Sequence, residues 1–93
     1  MDEVVIKITG FVQGVSFRYY AKQLADSLGI KGWVRNKGDR TLEIVAQGEA
    51  KVLEKYIGWC HKGPPLAEVK DVSYLYRKPT QTYSDFSILP MAG

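Results

Sequence analysis

The chain carries one cysteine, Cys60, and one histidine, His61. A single cysteine cannot close an internal disulfide, which excludes a stapled secreted scaffold. The two residues are adjacent, so they lack metal-ligand spacing, and on a helix they point in different directions and cannot act as a nucleophile–base pair. No G-x-S-x-G elbow, Walker A loop or H-E-x-x-H run is present. No apolar run approaches membrane-spanning length, so no membrane partner is expected. The start, Met1-Asp2-Glu3, has no signal-peptide pattern, and the expected compartment is the cytoplasm. The carboxylates are scattered over predicted outer faces and turns. Any activity these residues support is expected to need no metal, no cofactor and no conventional general acid.

What is present is enough for one two-layer core. The 93 residues are 45% hydrophobic and 25% charged, the balance of a globular domain. Net charge is +3 without a Lys/Arg block. That excess fits a nucleic acid, a small anionic substrate, or a slightly basic surface with no partner, and charge alone favours the last.

Val4 to Thr9 alternate, with Val4, Ile6 and Ile8 on one side, which is strand periodicity. Gly10 to Val15 interrupts it with two glycines. Phe17, Ala21, Leu24 and Leu28 then recur at helical spacing, with Ser16 as N-cap and Gly29 as the stop. Gly32 to Arg35 reads as a short strand, Asn36-Lys37-Gly38-Asp39 as a turn, and Leu42, Ile44 and Ala46 as the returning strand of a hairpin. A second helix runs to about Lys62, with Leu53, Tyr56, Ile57 and Cys60 on one face, and Gly63-Pro64-Pro65 ends it. Val69 to Arg77 is a further strand, and Phe86 and Ile88 stand at strand spacing near the end. This order predicts an α+β, ferredoxin-like β-α-β-β-α-β two-layer sandwich. Two helices cover one face of an antiparallel sheet, with a short extra C-terminal strand. The expected core includes Ile6, Ile8, Leu24, Leu28, Leu42, Ile44, Leu53 and Ile57. The fold by itself assigns no chemistry.

The loop before the first helix is the first chemical candidate. Gly10 and Gly14 permit positive φ, successive N–H groups in such a turn can converge on an anion, and the helix N-terminus adds free amides and a positive dipole end. Arg18 falls in the helix's first turn, where a cation is disfavoured unless an anion sits beside it, and its planar guanidinium matches two phosphate oxygens. The same residues also describe an ordinary loop with a surface arginine, and taken alone they favour that description. Asn36 is the second candidate. Its carboxamide both donates and accepts, so it can orient a water if the strands bring it to the loop, although an Asn in a turn needs no function. Trp33 reads as core or edge packing, and Tyr19 and Tyr20 cannot both face the core.

The run Gly10-Phe11-Val12-Gln13-Gly14-Val15-Ser16-Phe17-Arg18 resembles the acylphosphatase signature, G-x-V-Q-G-V-x-F-R. Gly32-Trp33-Val34-Arg35-Asn36 through Gly48 resembles the second motif of that family, and Gly63 to Ala67, Val69, Phe86 and Ile88 also fit its pattern. The resemblance covers nearly the whole chain and carries the ferredoxin-like fold. It implies hydrolysis of an acyl phosphate to a carboxylate and inorganic phosphate, without metal or covalent intermediate. It also implies that the backbone amides of Gln13, Gly14, Val15, Ser16 and Phe17, with Arg18, hold the phosphate, and that Asn36 positions the attacking water. Arg18 and Asn36 are then the expected catalytic residues. A single free-standing monomeric domain spanning residues 1–93 is expected. Two departures stand out: Arg40 where the second motif usually has Gly, and Phe11 where the family often has Arg. If the turn needs positive φ, Arg40 costs on the order of 1 kcal/mol, unless Gly38 takes that conformation instead.

A non-catalytic phosphate- or RNA-binding module with the same strand order is the competing description. Thr41 to Gln47 lacks the aromatic RNP1 pattern and carries Glu43 on its outward face, so no nucleic-acid partner is expected.

Overall fold

A computed structural model describes residues 1–38 and 40–92. The elements are β1 (Asp2–Phe11), α1 (Phe17–Leu28), β2 (Lys31–Lys37), β3 (Thr41–Gly48), α2 (Ala50–Lys62), β4 (Glu68–Arg77) and β5 (Phe86–Ile88). They build one sheet of order β4-β1-β3-β2-β5. The first four neighbours pair antiparallel, whereas β5 lies parallel to β2 through Gly32–Phe86 and Val34–Ile88. This is the expected ferredoxin-like sandwich with its extra strand. Asp39, the last residue of the expected turn, lies outside the described residues.

The alternating residues do what their period demands. Val4, Ile6, Ile8, Val34, Leu42, Ile44 and Ala46 are fully buried between the sheet and the helices. α2 presents Leu53, Tyr56, Ile57 and Cys60 to them, as its spacing predicts. α1 is rotated slightly from expectation: Phe17, Ala21 and Ala25 form its buried face, and Leu24 and Leu28 pack at the margin. Small alanines let α1 lie close to α2, and the Tyr56 hydroxyl donates to the Ala21 carbonyl at 2.8 Å. α1 ends in a Schellman arrangement, Ile30 N–H to Ala25 O at 2.8 Å and Gly29 N–H to Asp26 O at 3.3 Å.

Gly10 is where β1 becomes the loop. The pairing with β4 shifts register between Thr9 and Gly10, and φ is 132°. A β-carbon there would run into the Glu68 carbonyl, so only glycine allows β4 this close.

Two carboxylates are not on exposed outer faces as expected. Glu3 is 1% exposed and Glu43 is also buried. The strand order gives the reason. β4 and β5 lie at opposite edges, so the chain between them must cross the sheet. It crosses the face away from the helices: the Gln47 amide donates to the Gln81 carbonyl at 2.6 Å, and Trp33 Nε1 donates to the Tyr83 hydroxyl at 3.2 Å. Beneath it, Gln47 and Arg77 both donate to Glu3. Further along that face Arg35, stacked 4.7 Å over Trp33, pairs with Glu43 at 2.8 Å.

Candidate active site

β1 and β2 both run antiparallel to β3, so their C-terminal ends share one edge of the sheet. The register makes this concrete. Ile8, Leu42 and Asn36 form one row across three strands, and Thr9, Thr41 and Lys37 form the next. The loop after β1 and the start of α1 therefore lie at the edge where β2 turns into β3.

In that loop the backbone alternates in hand. Gly14 has φ 76° and Ser16 φ 62°, while Val15 between them is not left-handed. Alternation of this kind turns successive N–H groups toward one point. Among the described residues, no backbone amide from Val12 to Tyr19 donates to another backbone carbonyl; the first helical donor is Tyr20, to Ser16 O at 3.1 Å. Ser16 thus occupies the expected N-cap position, but without the side-chain cap its residue type predicts. It sits in left-handed backbone and its hydroxyl caps nothing, whereas a serine N-cap needs extended backbone to reach the next turn's amides. No acidic residue occupies the first turn of α1, so the positive end of the helix has no carboxylate of its own.

Arg18 is half-buried at this helix end. Among the described residues its guanidinium forms no ion pair. It lines a cleft of about 410 Å³ with Gly14, Ser16, Phe17, Tyr19 and Ile88. Residues with free amides, a helix N-terminus and an unpaired guanidinium border the same cleft, and each is a group that favours a multiply charged oxyanion.

The other expected site residues are placed differently. The Val15 and Phe17 side chains are in the core, leaving only their backbone to the loop. The Gln13 side chain turns toward the β2–β3 connection and donates to Gly38 O at 3.2 Å and Thr41 O at 3.1 Å. Asn36 is in strand β2, opposite Leu42, rather than in the turn. It stands two residues beyond buried Val34, so its side chain is on the helix-facing side. It does not line the 410 Å³ cleft, but its Oδ1 is buried with no hydrogen-bond partner among the described residues. A buried carboxamide oxygen left unpaired costs about 1–3 kcal/mol, so a native fold keeps one only where a donor such as a water meets it or a function requires it. Ile88 was not expected at the site. The Phe86-x-Ile88 spacing signals a strand, but only the pairing of β5 with β2 carries Ile88 to the cleft.

Cys60 and His61 lie at the C-terminal end of α2, whose Trp59 packs against Phe17 with ring centroids 5.2 Å apart, and neither lines the cleft. Cys60 is fully buried and desolvation pushes its thiol up to about 12. His61 Nδ1 lies 3.0 Å from Ile57 O within α2. Among the described residues, no three His, Cys, Asp or Glu side chains gather as a metal would require. Among the described residues no helix is long and apolar enough to cross a membrane.

The acylphosphatase family model matches residues 4–88. The chain belongs to the acylphosphatase family. It is 43% identical to an acylphosphatase of Shewanella amazonensis over 88 residues, covering 95% of this chain and 97% of that one. It is 46% identical to an acylphosphatase of Trichormus variabilis over 76 residues, covering 82% and 75%. The crystal structure of acylphosphatase from Bacillus subtilis superposes with a TM-score of 0.92 at 34% identity, over 96% of this chain and 99% of that one. The function is that of an acylphosphatase enzyme, with a small-molecule acyl phosphate as substrate and phosphate as product; a non-catalytic phosphate- or RNA-binding module is not favoured. The two departures from the family pattern have defined positions. Both Gly38 and Arg40 are left-handed, with φ 54° and 52°, so the turn does not shift the special conformation from one to the other. Phe11 is 56% exposed beside the loop.

Proposed function

We propose that the amides of residues 13–17 and the Arg18 guanidinium hold the phosphoryl group of an acyl phosphate, and that Asn36 orients the attacking water. The observation that carries this is the half-buried, unpaired Arg18 beside amides that no backbone carbonyl satisfies. The water's oxygen forms a bond to phosphorus while the bond to the acyl oxygen breaks in line. The carboxylate departs with the electron pair, and a phosphate oxygen takes the water's proton. The leaving group's conjugate acid has a pKa of roughly 4, so it needs no protonation by the enzyme. What remains is positioning and stabilisation of the equatorial oxygens, which fixed amides and a guanidinium provide. Asn36 Oδ1 is the acceptor available to hold one water hydrogen.

Hydrolysis of benzoyl phosphate, followed with and without chelator, tests this. The expected outcome is turnover that chelator leaves unchanged, with kcat/KM falling roughly 10²-fold or more in both Arg18→Ala and Asn36→Ala. Full activity in the Arg18 variant would remove the proposed phosphate grip.

Residues 1–93 act as one domain on this reading, monomeric and cytoplasmic, with no cofactor and no nucleic-acid partner. The face on which a module of this strand order would bind RNA supports the last point. One end of it is crossed by the Gln81–Tyr83 segment, and Glu43 lies buried in its ion pair with Arg35. Retention of single-stranded RNA at low salt would count against it.

A further inference from the structure

We infer that the Gln13 side chain, apart from the backbone amide that faces the phosphate, is a positioning group that locks the phosphate loop to the hairpin bearing Asn36. This rests on the reading of Asn36 as the residue that orients water. A carboxamide NH₂ carries two hydrogens, and here two carbonyls face it, Gly38 O at 3.2 Å and Thr41 O at 3.1 Å. Two acceptors on the same atom also fix which end of the amide is nitrogen. The contacts span 25 and 28 residues of sequence, so they tie together segments that no local geometry holds.

A second link reinforces the first. Gly10 N–H donates to Arg40 O at 3.2 Å. Carbonyls of residues 38, 40 and 41 thus all accept from the strand and loop that lead into the phosphate cradle. The far side of the same hairpin is also held, because Asn36 O accepts from Ala92 N at 3.0 Å and Gly38 N donates to Ala92 O at 3.2 Å. Asn36 is one residue before Lys37, the last of β2, and two from Gly38, so the bond to Gly38 O acts within about 7 Å of chain from Asn36. Water attack requires Asn36 and the phosphoryl group to keep one relative geometry, and an error of about 1 Å in such an arrangement can cost two orders of magnitude in rate. Gln13 spans the junction where that geometry is set.

The test is a double-mutant cycle of Gln13→Leu, which keeps size but has no donor, with Asn36→Ala. It is read by kcat and KM for benzoyl phosphate, by inhibition by inorganic phosphate, and by urea midpoints to confirm that every variant is folded. The expected loss for Gln13→Leu is about tenfold or more in kcat, with phosphate inhibition moving less than about threefold, since the amides and Arg18 remain. In the Asn36→Ala background the same substitution is expected to cost less than about twofold, because the group it aligns is gone. Equal losses in both backgrounds would overturn the role of Gln13 while leaving Asn36 intact. So would phosphate inhibition that weakens in proportion to kcat, which would make the Gln13 side chain part of the phosphate grip. An Asn36→Ala enzyme with full activity would overturn both readings.

Discussion

Arg40 and Ser16 are the non-glycine residues in left-handed backbone among those described, and the two differ in what the strain accompanies. Ser16 lines the cleft, among the amides proposed to hold the phosphoryl group. Arg40 lies in the hairpin turn with its side chain exposed, and its carbonyl, not its side chain, is what Gly10 uses. Left-handed backbone costs a residue with a β-carbon roughly 1–2 kcal/mol. Glycine returns that but gives back about 0.4–1 kcal/mol through a more flexible unfolded chain. Arg40→Gly is therefore expected to raise stability by up to about 1.6 kcal/mol, whereas Arg40→Ala, which keeps the β-carbon, is expected to gain nothing. Urea midpoints of the two variants side by side check this. At this scale the sequence was only partly legible. Arg18 could be singled out because a cation at a helix N-terminus is out of place. The unpaired Oδ1 of Asn36 could not, because whether a carboxamide oxygen is buried and unmet depends on residues far away in the chain.

Elements with a clean period were legible: β1, β3 and α2 present the faces their spacing dictates. The misjudged details came from contacts between elements. β2 runs through Asn36 to Lys37 because β3 offers Leu42 and Thr41 as ladder partners. The outer-face carboxylates Glu3 and Glu43 are buried because the chain from β4 to β5 has to traverse that face, a consequence of strand order that no local pattern encodes. β5 shows most clearly how little local sequence decides. It has three residues, too few to be stable alone. Phe86 anchors it, 1% exposed and packed edge-on against Tyr56 with ring centroids 6.1 Å apart. Lys22 Nζ donates to the Phe86 carbonyl at 2.8 Å. Phe86→Ala is expected to cost about 3–5 kcal/mol, through lost burial and the cavity left behind. That is a large share of the roughly 5–15 kcal/mol a domain has in total. Urea denaturation should show the loss, and a cost below about 1 kcal/mol would mean that β5 is held by its ladder and Lys22 instead.

The whole molecule closes its core over two ionisable groups, and that sets its behaviour in alkali. Burial pushes the Cys60 thiol from 9.0 up to about 12. Burial, and secondarily the nearby Cys60, push the Tyr56 phenol upward from 10.0, and its hydroxyl is held to Ala21 O. Both groups are acids whose neutral form the fold favours. Below pH 9.0 folded and unfolded chains carry the same protons on Cys60, so its contribution is fully present. Above that, the unfolded thiol ionises while the folded one does not. Stability then falls by up to about 1.4 kcal/mol per pH unit for each such group, until the folded thiol also titrates near 12. Tyr56 adds its share once the unfolded phenol begins to ionise near 10.0. The urea midpoint is accordingly expected to be flat up to about pH 9 and then to decline, more steeply beyond about pH 10. Cys60→Ala separates the two groups. It should lower the midpoint below about pH 9, because the sulfur's packing is lost, yet stay flat to about pH 10, where the upward-shifted tyrosines, Tyr56 foremost, begin to titrate in the unfolded chain. A variant that keeps the slope between pH 9 and 10 would show that another buried group, not the thiol, limits the fold in alkali.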